Sequence, residues 1–143
     1  MRRATLGCAV VQLGAVEDEL LRDVVDFRGK PLVQVAELLR AAAVHVCVVT
    51  GTMHIASGTG TATVAIFGGR EHPNVTGYPD AVNLYAEPER GCSPCWMVEP
   101  CPYAQGGIAE CMTMLPPTVA ATVVMKRYAE VLGEKENTPC RTA

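Results

Sequence analysis

The stretch 48–56, VVTGTMHIA, collects residue types suited to holding a phosphorylated ligand. Apolar, β-branched residues lead into Thr50-Gly51-Thr52, and a short helical pattern follows at once. At such a junction the amides of the first helical turn have no intrahelical acceptor, and the positive end of the helix dipole adds to their pull on an anion. Gly51 lets a bulky anion approach the backbone, Thr50 and Thr52 supply hydroxyls, and His54 falls in the first turn. The pattern predicts a diphosphate cradle at Thr50, Gly51, Thr52 and His54. Two plainer readings stay open: an ordinary strand-to-helix turn capped by threonine, and a histidine that only packs or caps.

Cysteine supplies the second chemical signal. Of seven cysteines, Cys8 and Cys47 lie in apolar runs and read as small core residues. Cys92, Cys95, Cys101 and Cys111 form a local cluster of the form C-x2-C-x5-C-x9-C, in a segment rich in Pro and Gly. Four thiols with one CxxC pair can make a tetrahedral structural zinc or iron site. The second half of the cluster has no CxxC, so free thiols packed in a loop and a CxxC disulfide remain alternatives. Gly58-Thr59-Gly60 is not a dinucleotide fingerprint, because the third glycine is missing and the motif precedes a strand. No Walker-type lysine follows a Gly-rich loop. Asn74-Val75-Thr76 matches a glycosylation sequon and is read as chance. No Ser-His-Asp set can be assembled.

These residues need a scaffold, and hydrophobic periodicity supplies its outline. Residues 7–13 (GCAVVQL) read as a strand closed by Gly14, residues 17–23 as an exposed acidic turn or short helix, and residues 26–31 as a loop. Pro31 is placed to open a helix in which Leu32, Val35, Ala36, Leu39 and Ala43 share a face. Residues 44–49 (VHVCVV), apolar on both faces, read as a central parallel strand. A short helix over 53–57 follows, then a buried strand over 63–67, a polar loop over 70–79 and a weaker strand over 81–86. Pro116-Pro117-Thr118 opens a last helix, with Ala121, Val124, Met125, Tyr128 and Leu132 on one face and Gly133 capping its end. The alternation of strand and helix predicts an α/β fold with a parallel sheet, in which ligands bind beyond the carboxyl ends of the strands. That points to Gly14, to 50–54 and to 68–72. One domain over 1–133 is expected, with a Cys-rich loop at 91–112 and a disordered tail at 134–143.

Composition narrows the partners. The chain has 143 residues, 49% of them hydrophobic, and a net charge of −3. A core of real size is affordable at that length. No dense basic face exists to release counterions from nucleic acid, so no nucleic-acid partner is expected. Met1-Arg2-Arg3 and the apolar residues after it superficially resemble a secretion signal, with Leu6-Gly7-Cys8 hinting at a lipoprotein site. Too few residues precede Cys8 for a charged and a full apolar region, and a buried first strand is the better reading. No run approaches the roughly 18 apolar residues of a membrane span.

Taken in order, the motifs resemble glycosyltransferase family 9, the ADP-heptose:lipopolysaccharide heptosyltransferases. They are VVQLG at 10–14, DFRGK at 26–30, QVAELLRAA at 34–42, VVTGTMHIA at 48–56, TVAIFGG at 63–69, CSPCW at 92–96, Cys101-Pro102 and Cys111-Met112. The resemblance runs over residues 8–125 and implies a Rossmann-like domain equivalent to the C-terminal half of a GT-B enzyme. By that likeness Thr50, Gly51, Thr52 and His54 would hold the donor diphosphate, and the loop at Gly29 and Lys30 would lie near the nucleotide base. The implied reaction is inverting transfer from a nucleoside-diphosphate sugar such as ADP-heptose to a lipopolysaccharide-core, glycan or lipid-linked acceptor. No cofactor would be required for it, and the place would be the cytoplasm or the inner face of the membrane. The acceptor site and catalytic base would belong to an N-terminal GT-B half, which this chain is expected to lack. Alternatives are a non-catalytic nucleotide-sugar-binding or partner module, and an interaction domain stabilised by metal in the Cys loop. Val49 stands where the family carries an acidic residue, and Thr52 and Ala62 stand where it usually has proline.

Overall fold

The computed structural model of the chain describes residues 8–96 and 100–136. The chain divides into two compact units, with the boundary between Leu38 and Leu39. The expected tail largely lies outside the described residues.

In the first unit, β1 (Val11–Gln12) pairs in parallel with β2 (Val25–Asp26), with Val11 opposite Val25 and Gln12 opposite Asp26. Only two residues of the expected strand over 7–13 pair, and β2 falls partly in what reads as a loop. Strands this short leave no period to recognise. Side chains hold the intervening segment in place of a helix. The Gln12 amide donates to the Glu19 carbonyl and accepts from the Leu21 N–H, both at 2.8 Å. Arg28 donates to the Asp18 and Val16 carbonyls and to both carboxylate oxygens of Asp26. Its guanidinium holds the Asp26 carboxyl well below the usual range. Helix α1 (Leu32–Ala41) follows Pro31 as anticipated. Val35 and Leu39 are buried on the expected face, but Leu32, in the first turn, is 71% exposed.

The second unit carries a three-stranded parallel sheet of order β3-β4-β5, formed by β3 (His45–Val48), β4 (Thr63–Gly68) and β5 (Val82–Tyr85). Helix α2 (Gly51–Thr59) crosses from β3 to β4 and packs on both. The expectation of a central strand at 44–49 is corrected: among the described residues β3 pairs with β4 alone, and Val46 and Val48 are 45% and 48% exposed. An apolar run fits either place, because periodicity records which residues are apolar and not what covers them. The centre is β4, where Thr63, Val64, Ala65 and Phe67 are buried. Met53, Ala65 and Phe67 form a core cluster against which Cys47, Val49, Tyr78 and Tyr85 pack. Burial pushes the Cys47 thiol up to about 11.

Two short helices occur where loops are expected, α3 (Pro73–Thr76) and α4 (Glu110–Thr113). His72 caps α3, its Nδ1 accepting from the Asn74 N–H at 3.1 Å. Helix α5 (Pro117–Glu136) packs against β4 and runs through Gly133, which therefore does not cap it. Its covered stripe is Ala120, Val123, Val124, Arg127, Tyr128 and Val131, whereas Ala121, Met125 and Leu132 are exposed. The helix carries two adjacent small or apolar stripes, and only packing against the sheet selects between them.

Candidate functional site

β3 delivers the chain to the start of α2 through Val49 and Thr50. Val49 packs on the Met53–Ala65–Phe67 cluster, so the position where the resembled family carries an acid contributes to the core here. Thr50 is the extended N-cap residue, and its side chain makes no capping bond. Instead its hydroxyl lies 3.4 Å from the Val48 carbonyl and 3.1 Å from the Thr52 hydroxyl. Thr52 is in turn 3.2 Å from His45 Nε2. His45 is buried, and desolvation lowers its pKa.

Because the threonine hydroxyls are engaged elsewhere, the N–H groups of Gly51 and Thr52 have no acceptor among the described residues. The Met53 N–H is partnered, donating to the Thr50 carbonyl at 3.0 Å. The anticipated cluster of amides at Met53 thus narrows to two, just before it, since α2 begins at Gly51 and not at Met53. Gly51 is exposed, and a Cβ placed on it would meet nothing within 4 Å. A helix of nine residues with an uncapped first turn and open space above it can accept an anion directly on the backbone.

His54 is exposed, and its Nδ1 lies 2.8 Å from the Tyr78 hydroxyl, with the two rings edge to face at 5.8 Å. Tyr78 comes from the segment read as a polar loop, so its presence beside 50–54 is a finding of the tertiary structure. Its place is set by Gly77, whose N–H donates to the Pro73 carbonyl at 2.7 Å, and by Asn83, whose amide donates to the Tyr78 carbonyl at 3.1 Å. A tyrosine between a helix end and a strand start was the one available signal, and a weak one.

The structure places Thr50, Gly51, Thr52 and His54 at the start of one helix of the second unit, Thr50 as its N-cap. Gly29 and Lys30 belong to the first. Gly29 has a left-handed φ of 65°, and its N–H donates to the Gly14 carbonyl at 2.9 Å. Lys30 is exposed, with its ammonium 6.0 Å from the Phe27 ring centroid.

Cys92, Cys95, Cys101 and Cys111 all line one cavity of about 200 Å³ at the carboxyl end of β4, together with Gly69, Tyr103 and Glu110. Their thiols are free, and no three His, Cys, Asp or Glu side chains among the described residues stand close enough to share a metal ion. The cavity is walled by a loop pinned to β4: Ser93 Oγ donates to the Gly69 carbonyl at 2.7 Å, and the Trp96 N–H donates to the Arg70 carbonyl at 2.9 Å. Arg90 pairs with Glu110 at 2.7 Å and lies 4.2 Å over the Tyr103 ring. Gly68–Gly69, one of the expected ligand positions, is thus occupied by the chain's own loop. This cavity does not extend to Thr50, Gly51, Thr52 or His54.

A parallel β-α-β sheet with an uncapped helix end beyond its first strand is a Rossmann-like α/β arrangement. Residues 23–104, more than half of the chain, match the model of glycosyltransferase family 9 (heptosyltransferase), and the protein belongs to that family. The match begins just before β2 and ends within the Cys loop, taking in α2 and Tyr78. No curated protein and no solved structure matches the chain.

Proposed function

We propose that the chain binds the diphosphate of a nucleoside-diphosphate sugar at the start of α2, as the donor-binding half of an inverting GT-B glycosyltransferase acting on a lipopolysaccharide-core or related glycan acceptor. One observation carries the reading: the Gly51 and Thr52 amides are unpartnered at an exposed helix end, where Thr50 leaves them uncapped. Two N–H donors and the helix dipole favour negative charge there. As the bond to the sugar breaks, charge grows on the departing diphosphate, and the fixed donors stabilise it. The acceptor and its base are then supplied by the complementary GT-B half. A nucleotide-sugar donor of this class fits a cytoplasmic setting.

Calorimetry with ADP, UDP and GDP tests the reading. Heat of binding with at least one of them is expected, and none with any of them or with their sugars would defeat it. Gly51→Val should weaken binding at least about tenfold, by keeping phosphate off the backbone. The melting temperature should barely change, because the added Cβ meets nothing within 4 Å.

A second reading, a nucleotide-sugar-binding module that does not catalyse transfer, draws support from Val49, which packs on the core at the family's acidic position. It shares the binding step and parts from the first in a transfer assay with the complementary half added. Sugar transfer favours the enzyme. Binding without transfer favours the module.

A further inference from the structure

His54 and Tyr78 are 24 positions apart in sequence, yet their polar atoms meet at 2.8 Å. Tyr78 is half-buried and packs on the Met53–Ala65–Phe67 cluster. Its carbonyl is fixed as well, accepting from the Asn83 amide and from the Ala81 N–H at 3.2 Å. Gly77 permits the approach, since a Cβ there would lie 2.5 Å from the Pro73 carbonyl oxygen.

A phenol is a better donor than acceptor, because its lone pairs are drawn into the ring, and the unprotonated nitrogen of a neutral imidazole is a strong acceptor. That chemistry favours Tyr78 as the donor to Nδ1, with the imidazole proton on Nε2. Nε2 has no partner among the described residues, and His54 is exposed. His54 stands three positions after Gly51, and so on the same face of α2 as the start of the helix.

We infer that Tyr78 is a positioning residue that fixes His54 as the Nε2–H tautomer, so that His54 presents a third donor to the phosphates of a nucleoside diphosphate held at the start of α2. This rests on the donor-binding reading above. Tyr78 touches no phosphate itself. It acts by removing the alternative tautomer, in which Nε2 would repel the anion with a lone pair.

Two measurements on the full chain test it. In mildly alkaline buffer, two-bond proton–nitrogen NMR spectra of protein labelled with 15N-histidine should show His54 with Nε2 protonated and Nδ1 bare. Tyr78→Phe, which keeps the ring packing, should move both signals toward a tautomer average. A proton found on Nδ1 in the unmutated protein, or signals unmoved by Tyr78→Phe, overturns the assignment. In ADP titrations Tyr78→Phe should weaken binding about twofold, the share of His54 released into the other tautomer, and should have no further effect once His54→Ala is present. An equal loss in both backgrounds makes Tyr78 merely structural and overturns the inference. Absence of ADP, UDP and GDP binding by the unmutated chain removes the phosphate role together with the donor-binding reading, and the NMR result then decides the Tyr78–His54 pairing by itself.

Discussion

At the scale of single residues, the start of α2 is organised by what its threonines do not do. The Thr50 and Thr52 hydroxyls stand 3.1 Å apart and Thr52 reaches His45 Nε2 at 3.2 Å, so neither caps the helix. His45 is 8% exposed, and desolvation lowers its pKa. In the unfolded chain the same ring takes up a proton near its ordinary value of about 6.5. Below that pH the unfolded state binds more protons than the folded one, so the stability from this group is present above about pH 6.5 and is lost as pH falls toward the lowered folded value. The urea midpoint should therefore drop between about pH 7 and about pH 5, and His45→Gln should flatten that part of the profile. An unchanged slope in His45→Gln would assign the titration elsewhere. The contiguous set 50–54 is legible in the sequence because neighbours on a helix turn are neighbours in space. His45 and Tyr78 are not, because they reach the same helix from the strand before it and from a loop.

At the scale of elements, the glycine pair ending β4 decides where the Cys loop sits. A Cβ on Gly69 would lie 2.8 Å from Ser93 Oγ, 2.9 Å from Cys111 Cβ and 3.2 Å from the Ala86 carbonyl oxygen. Two of these are backbone or near-backbone atoms that cannot swing aside. Gly69→Ala should thus destabilise the protein by about 1–3 kcal/mol in denaturant titrations, the usual range for overpacking. Gly58, in the last turn of α2, is the contrast: its Cβ would meet nothing within 4 Å, and Gly58→Ala should stabilise by about 0.5–1 kcal/mol. Equal effects of the two would show that the loop does not pack on Gly69. The cysteine spacing announced a local cluster, and all four side chains do line one cavity. Spacing alone could not tell whether the thiols converge on a point, because a loop with little regular structure fixes no distance between them. The stripe of α5 was likewise ambiguous, with small or apolar residues on adjacent faces.

At the scale of the whole molecule, charge and hydropathy set the partners. The net charge is −3, and no helix among the described residues is long and apolar enough to cross a membrane. Mobility-shift assays with duplex DNA at moderate salt should show no complex, because affinity for a polyphosphate backbone comes from released counterions, which an anionic surface without a basic stripe cannot displace. A salt-sensitive complex would point to a basic surface formed only in the folded chain. Anion binding at α2 is a separate matter, since it uses two backbone amides and a helix dipole, and these leave no mark on net charge.

The sequence by itself determined the parallel α/β class, the strand–helix junction at 50–54 and the family, because these depend on local periodicity and on the order of short motifs. The tertiary structure decided that among the described residues β3 pairs only with β4, that Val49 joins the core, that Met53's amide is bonded while those of Gly51 and Thr52 find no acceptor, and that Tyr78 comes within 2.8 Å of His54. Each of these turns on which distant residue comes within a few ångströms. Local sequence pattern carries no record of that distance.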